Sequence, residues 1–220
     1  MDDSVFPFRT DLDQRDLAQA VAAACRILRS GGVVGYPSET VWGLAALPEF
    51  LPALYRRKGR DADKPVQASC ADAASALALA QPHPVLDALS AWWPGPLSVV
   101  APAAATCPPA LAPGGWVGLR VPDQPLARAL LRECGPLATT SLNPAGAPAA
   151  ATYGQAQAYA LADLLLGGPQ DVAGGLASTV LQLPQGGGAA RLLRVGAVGA
   201  EALRGVLAPL GLSLDDPAGL

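Results

Sequence analysis

Histidine, charged residues and aromatic residues are all scarce in this chain of 220 residues. His83 is the only histidine, 15% of the residues are charged, and 5% are aromatic. A single histidine leaves almost no room for a Ser-His-Asp hydrolase or for a histidine-based zinc site. The chain also lacks a Walker-type phosphate loop, a Gly-x-Ser-x-Gly elbow and any apolar run of the roughly 18 residues that span a membrane.

The cysteines and the charge balance narrow the class of protein further. The four cysteines are widely spaced and include no Cys-x-x-Cys pair: Cys25, Cys70, Cys107 and Cys134. This spacing disfavours a metal site in the protein. Because the acidic N-terminus has no signal-peptide pattern, we expect a reduced, cytoplasmic protein with no membrane association. The net charge of −3 argues against strong direct binding to nucleic acid, although a local basic pocket is compatible with it.

Helical periodicity and short apolar runs alternate along the chain, which predicts a mixed α/β sheet with helices packed on it. The predicted helices cover 14–29, 50–57, 72–80, 84–92, 124–134, 154–166 and 199–208. The predicted strands cover 33–36, 97–101, 117–121, 137–140, 178–183 and 191–195, with a hairpin at the glycine-rich segment 184–188. No repeat or linker interrupts the chain, so we expect one domain over 1–220 whose tail frays after Leu210. The proline-rich segment 102–115 is either a mobile flap or a passive connection.

Polar side chains follow several of these elements at the point where each one ends. Lys58 and Arg60 flank a glycine at the end of a predicted helix. Two cations separated by a glycine can approach a phosphate closely, and the arginine can bind two of its oxygens. The alternative is a solvated helix C-terminus, where Lys and Arg are common. Ser38 and Thr40 follow an apolar run, so their hydroxyls could bind a small polar substrate, or Ser38 could cap the next segment.

Further polar groups lie within or beside the later strands. Arg120 sits inside an apolar strand, where it is costly unless it meets an anion or a carboxylate; the alternative is an edge strand that faces water. Ser141 and Asn143 share a face if that segment is extended, or they belong to an Asn-Pro turn. Ser178 and Arg194 are either site residues or ordinary β surface. Basic groups and hydroxyls together favour a ligand with phosphate and smaller polar groups.

The order and spacing of these clusters resemble the YrdC-domain family, the threonylcarbamoyl-AMP synthases. The matching segments run from about Gly31 to Val198 and are GGVVGYPSETVWGLA, LYRRKGRDADKPV, WWPGPLSVV, VGLRVPDQPLARALL, TTSLNPAGAP, ASTVLQL and LLRVGAV. The resemblance implies an open, twisted α/β sheet with a deep concave cavity. It also implies a nucleotidyltransferase that makes threonylcarbamoyl-AMP and pyrophosphate from L-threonine, bicarbonate and ATP, with Mg²⁺ carried by the nucleotide. A separate complex would then transfer the threonylcarbamoyl group to tRNA.

The resemblance further implies a role for individual residues. The residues implied to contact ATP are Arg60, Lys64, Asn143 and Arg194. The residues implied to form the threonine site are Ser38, Ser69, Arg120, Ser141 and Ser178, with Arg120 holding the carboxylate. The implied catalytic set is Lys58, Arg60, Ser141 and Asn143. Attack of a carbamate oxygen on the α-phosphate needs no covalent enzyme nucleophile, because positioning and cations lower the barrier.

The chain departs from the family pattern mainly around the implied threonine site. Ser38 replaces a threonine, and Ser69 stands where histidine is frequent. The other departures are Trp42 for tyrosine or phenylalanine, Ala45 for glycine, Asp61 for proline and Gln182 for aspartate. Two alternatives therefore stay open: a relative with an ATP site and another acceptor, and a non-catalytic RNA-binding module. The acidic balance disfavours the second.

Overall fold

A computed structural model describes residues 14–59, 65–184 and 188–216. In chain order, its strands β1–β10 are Val34–Tyr36, Gly43–Ala46, Gln67–Ser69, Leu97–Pro102, Trp116–Arg120, Leu137–Ser141, Leu164–Leu165, Thr179–Gln182, Ala190–Arg194 and Leu214–Asp215. Its helices α1–α7 are Gln14–Arg29, Leu51–Lys58, Ala73–Leu77, Pro84–Leu89, Pro125–Cys134, Tyr153–Tyr159 and Ala200–Leu207. None of these described helices has the length and apolarity of a bilayer-spanning segment.

All ten strands belong to one mixed sheet in the order β10-β9-β8-β4-β5-β3-β6-β2-β1-β7. The central pairs alternate in sense: β4 and β5 are antiparallel, β5 and β3 are parallel, and β3 and β6 are antiparallel. The two-residue strands β7 and β10 form open edges, so the sheet does not close into a barrel. The prediction of an open mixed sheet with flanking helices is confirmed.

Helices α1 and α5 cover only one end of the concave face. They pack on the inward-facing residues of β1, β2 and β6, among them Val34, Ala45 and Leu137. Side chains two residues apart on a strand share a face, so Gly43 and Thr139 belong to the same face as Ala45 and Leu137. Because none of the described helices covers that face beyond them, the sheet keeps an open concavity there. The opposite face packs into a larger core.

Several elements differ from their predicted bounds. The helix predicted over 154–166 ends at Tyr159, where Ala160 adopts a left-handed conformation (φ 50°), and β7 begins at Leu164. The helix predicted over 72–80 is only α3, although Asp72 and Ser75 form a capping box at its start. The tail does not simply fray, because β10 pairs with β9. Strands β2, β3, β7 and β10 were not predicted: they have two to four residues each, too few for a periodic pattern, and they lack the longer run of branched apolar residues that indicated β1 and β8.

The expectation that all cysteines are reduced is wrong for one pair. Cys25 on α1 and Cys134 on α5 form a disulfide, with a sequence separation of 109 and a Cα–Cα distance of 6.1 Å. Sequence spacing does not indicate this pair, because only the packing of α1 on α5 brings the two residues together. Cys70 and Cys107 are free and buried, and burial raises the pKa of the Cys70 thiol to about 12. The cytoplasmic location stays a prediction.

Candidate functional site

The concavity is a cavity of about 590 Å³ that crosses the middle of the sheet. Seven of the ten predicted site residues line it: Ser38, Ser69, Arg120, Ser141, Asn143, Ser178 and Arg194. Lys58 reaches the same cluster through its hydrogen bonds. Arg60 and Lys64 lie outside the described residues, as does Asp61. Strand alternation explains the lining of β5, because Trp116, Gly118 and Arg120 face the cavity while the residues between them are fully buried.

Arg120 is an oriented, buried cation in the cavity wall. It lies on a central strand and is 7% exposed, so the alternative of an edge-strand arginine facing water is wrong. Its Nη2 donates to Glu39 Oε1 at 2.9 Å and to Thr40 Oγ1 at 2.7 Å. Among the described residues, its buried Nε has no acceptor. Because a buried guanidinium strongly favours full pairing, this side chain suits an anionic ligand.

Glu39 fixes that arginine from a loop that is itself held at several points. Its second carboxylate oxygen accepts from the backbone N–H of Asp123 at 3.1 Å. The backbone carbonyl of Glu39 accepts from Gly174 N, and that of Thr40 accepts from Gly175 N. Sequence analysis did not identify Glu39 as a site residue. These hydrogen bonds therefore fix the position of the loop that carries Ser38 and Glu39 at the wall of the cavity.

Ser38 organises a turn in the same loop. Its Oγ accepts from the backbone N–H groups of Thr40 and Val41, both at 3.3 Å, and donates to Val41 O at 2.5 Å. No helix starts there, so the capping alternative is realised as a turn. Trp42, which follows, is fully buried, and its Nε1 donates to Asp171 O at 3.1 Å.

Lys58 forms a polar centre at the end of β6. It is 7% exposed, so the alternative of a solvated helix terminus is wrong for this residue. Its Nζ lies 3.0 Å from Ser141 Oγ, 2.9 Å from Asn143 Oδ1 and 3.1 Å from Thr140 Oγ1. Gly59 adopts the left-handed conformation (φ 61°) that ends α2 behind it. The ammonium group of Lys58 thus connects the C-terminal end of α2 to the C-terminal end of β6.

Asn143 completes this centre and also forms the turn that follows. Its Oδ1 accepts from Ser141 Oγ at 2.6 Å, while its Nδ2 donates to Pro144 O and Ala147 O at 3.1 and 2.6 Å. The two interpretations from sequence, a site residue and an Asn-Pro turn, are therefore compatible in space. Ser141 is only partly buried, and its hydroxyl faces the cavity.

A second cation lies across the cavity at the β8–β9 hairpin. Arg194 Nε donates to Ser178 O at 2.9 Å and its Nη2 to Ser178 Oγ at 3.0 Å. Ser178 is 1% exposed, so it is not ordinary β surface, and its hydroxyl contacts Ser98 Oγ at 2.9 Å. Desolvation, followed by the nearby charge of Arg120, lowers the pKa of Arg194. Two arginines thus make this part of the cavity electropositive in an acidic protein.

Hydroxyl groups occupy the place where the family pattern favours a histidine. Ser69 Oγ lies 2.7 Å from Thr139 Oγ1 and 3.4 Å from the Tyr36 hydroxyl. Burial raises the pKa of Tyr36, although the bond to Ser69 lowers it in part. This end of the cavity is therefore lined by neutral donors and acceptors.

Several lining residues were missed from sequence, chiefly Tyr36, Gln67, Ser98 and Trp116. A signal existed for Trp116, because extending the predicted strand 117–121 by one residue puts Trp116 on the same face as Arg120, four residues later. Gln67 and Ser98 lie on short segments that carry no motif. In 14–59, 65–184 and 188–216, no group of three or more His, Cys, Asp or Glu side chains could hold a metal ion.

Known proteins with similar sequences and folds point to one family. The family model Sua5_yciO_yrdC, described as "Telomere recombination", matches residues 26–196. A Bacillus subtilis threonylcarbamoyl-AMP synthase is 35% identical over 205 residues, which cover 86% of this chain and 57% of that protein. A Pseudomonas aeruginosa protein of the same name is 37% identical, with 62% of this chain and 77% of that protein covered.

Solved structures give the same result for the fold. The structure of P. abyssi Sua5 complexed with L-threonine has a TM-score of 0.80 and 25% identity, with 96% of this chain and 62% of that chain covered. E. coli YciO has a TM-score of 0.74 at 21% identity, with coverage of 84% and 93%. The chain thus spans less than two thirds of the B. subtilis and P. abyssi proteins. With a family model that matches most of its length and a cavity on the concave face, the chain belongs to the Sua5/YciO/YrdC family.

Proposed function

We propose that this chain is a threonylcarbamoyl-AMP synthase, which makes threonylcarbamoyl-AMP and pyrophosphate from L-threonine, bicarbonate and ATP. The observation that carries the proposal is the cavity, in which two arginines and several buried hydroxyls from separate strands face one space. Relatives of 35–37% identity bear the name of that enzyme, and a similar structure contains L-threonine. We also propose that residues 1–220 form one domain and work in the cytoplasm.

The threonine end of the site follows from Arg120. Its guanidinium is oriented by Glu39 and Thr40 and lines the cavity, so it would pair with a substrate carboxylate there. The nearby hydroxyls of Ser38, Ser69 and Ser141 offer partners for the amine and hydroxyl groups of threonine. The free amine of threonine attacks bicarbonate and, with loss of water, becomes a carbamate.

We assign the binding of ATP to the part of the cavity that contains Arg194 and the polar centre around Lys58. A carbamate oxygen attacks the α-phosphorus of ATP in line, the bond to the β-phosphate breaks, and pyrophosphate leaves with the electron pair. Arg194 and Ser178 would stabilise the charge on the phosphate oxygens. Lys58 would keep Ser141 and Asn143 in position between the two substrates. The proposed ATP contacts of Arg60 and Lys64 remain predictions from the motif.

Magnesium enters this scheme with ATP as part of the substrate. The described residues gather no carboxylate cage, and the cavity is lined by arginines and hydroxyls. We propose that the product then passes to a separate complex that modifies tRNA.

The test is pyrophosphate release from ATP and bicarbonate with and without L-threonine, together with mass detection of the adenylate. Release that depends on L-threonine and yields the expected mass supports the synthase. L-Serine, which lacks the methyl group of threonine, and D-threonine, which is the mirror image of L-threonine, are matched controls. Release that prefers another acceptor would replace the function with that of a relative with an ATP site. If the protein binds RNA and does not turn over ATP under any of these conditions, the proposal that it is an enzyme is refuted.

A further inference from the structure

Beyond the arginine and serine groups, the cavity has an apolar end that the proposed reaction does not use. Its walls are Val100, Pro113, Trp116 and Leu193, and it begins at Val180, which pairs with Ser98 and Arg194. Leu193 is 39% exposed. The register of β8 and β9 shifts between Val180 and Leu181, and this irregularity lets two consecutive residues, Leu193 and Arg194, both line the cavity.

The floor of this end is flat because β5 has a glycine there. Gly118 pairs with Val100 on one side and with Gln67 on the other. A Cβ built on Gly118 would meet no protein atom closer than 3.7 Å. Packing of the protein therefore does not require glycine at this position. The absent side chain instead leaves open space above the strand, bounded by the indole of Trp116.

Gln67 brings a carboxamide to this floor. Its Oε1 accepts from Ser98 Oγ at 3.3 Å across β5, which lies between the strands of the two residues. Among the described residues, no partner is present for its Nε2 donors. A carbonyl oxygen has a second lone pair, so the amide still offers one donor and one acceptor side by side.

We propose that Gln67 reads the base of the nucleotide, which lies on Gly118 against Trp116, and that this slot selects adenine over guanine. A carboxamide matches N6 and N7 of adenine with an acceptor and a donor, as Asn and Gln do on DNA. Guanine presents two acceptors, O6 and N7, so Oε1 would face the acceptor O6 and could not form a hydrogen bond with it. Strand rise places Gly118 about 7 Å from Arg120 and Val100 the same distance from Ser98, a gap that a ribose bridges towards the cations.

This inference rests on the proposed use of ATP, but its test does not need turnover. The experiment is equilibrium binding of ATP and GTP, each with Mg²⁺, in the absence of threonine and bicarbonate. For Gln67→Leu we expect ATP affinity to fall about 5- to 150-fold, with a smaller loss for GTP. Gln157→Leu is the matched control, because it makes the same change on the exposed surface of α6.

A second variant guards against a simple folding defect. Gly118→Ala fits the fold, so the free energy of unfolding should hold or rise, while the methyl group occupies the place of the base. We expect both nucleotides to bind about tenfold or more weakly. ATP quenching of tryptophan fluorescence should shrink in Trp116→Phe.

The possible outcomes separate this inference from the proposed function. Equal losses for ATP and GTP in Gln67→Leu would show that Gln67 contacts ribose or phosphate, and would overturn the inference even if threonine-dependent turnover is normal. Wild-type binding without preference for ATP would overturn it as well. Selective ATP binding that is lost in Gln67→Leu, without any threonine-dependent turnover, would support the slot and refute the synthase.

Discussion

Thr179 is a buried hydroxyl that we expect to hold the Arg194 end of the cavity in place. It is fully buried at the start of β8, and its Oγ1 donates to Val198 O at 2.6 Å. The same atom accepts from the backbone N–H groups of Gly196 and Val198 at 2.9 and 3.0 Å. Gly196 lies so close to β8 that a Cβ would sit 2.2 Å from Ala177 O. One hydroxyl therefore satisfies three backbone groups beyond β9.

The substitution Thr179→Val keeps the shape and removes all three hydrogen bonds. Each buried backbone group left unpaired costs about 1–3 kcal/mol, and two of the three, both on Val198, are buried. Adding a smaller loss of about 0.5–1.5 kcal/mol for the partly buried Gly196 N–H gives a total of about 2.5–7.5 kcal/mol. Thr179→Ser retains the hydroxyl and loses one buried methyl group, worth about 1 kcal/mol.

Urea unfolding followed by tryptophan fluorescence measures this difference. With an m-value of about 3 kcal/mol per molar urea, the midpoint of Thr179→Val should fall by about 0.8–2.5 M. The midpoint of Thr179→Ser should fall by about 0.3 M on the same basis. If the valine variant is no less stable than the serine variant, the three hydrogen bonds do not stabilise the protein and the reasoning is refuted.

Two further predictions concern the wall of the cavity and the disulfide. Arg120→Ala should raise the KM for L-threonine about 10- to 150-fold while changing the KM for ATP little, because a charge-assisted pair with the carboxylate is lost; equal effects on both constants in steady-state assays would contradict that role. Reduction of the Cys25–Cys134 bond should lower the free energy of unfolding by about 2–4 kcal/mol, since it closes a long loop. Urea midpoints with and without reductant measure this, and a Cys25→Ser/Cys134→Ser variant should show no response to reductant.

Local patterns in the sequence determined most of the larger elements. Helix α1 has its predicted bounds, α5 starts one residue later than predicted, and the β8–β9 hairpin pairs as predicted. Apolar periodicity is enough for such elements because each buries one continuous face. The motif order also indicated the family and seven of the residues that line the cavity. Trp116 was missed because the predicted strand began one residue later, at Val117.

Only the tertiary structure decided how those residues are partnered. The pairing of Cys25 with Cys134, the orientation of Arg120 by Glu39, and the reach of Gln67 across Gly118 all join segments that are distant in sequence. The burial of Lys58 likewise excluded its interpretation as part of a solvated helix terminus. Side-chain partners depend on the order and register of ten strands, which no local pattern encodes. The sequence by itself therefore indicated residues that line one cavity, whereas the geometry of that cavity arises from the packing of segments distant in sequence.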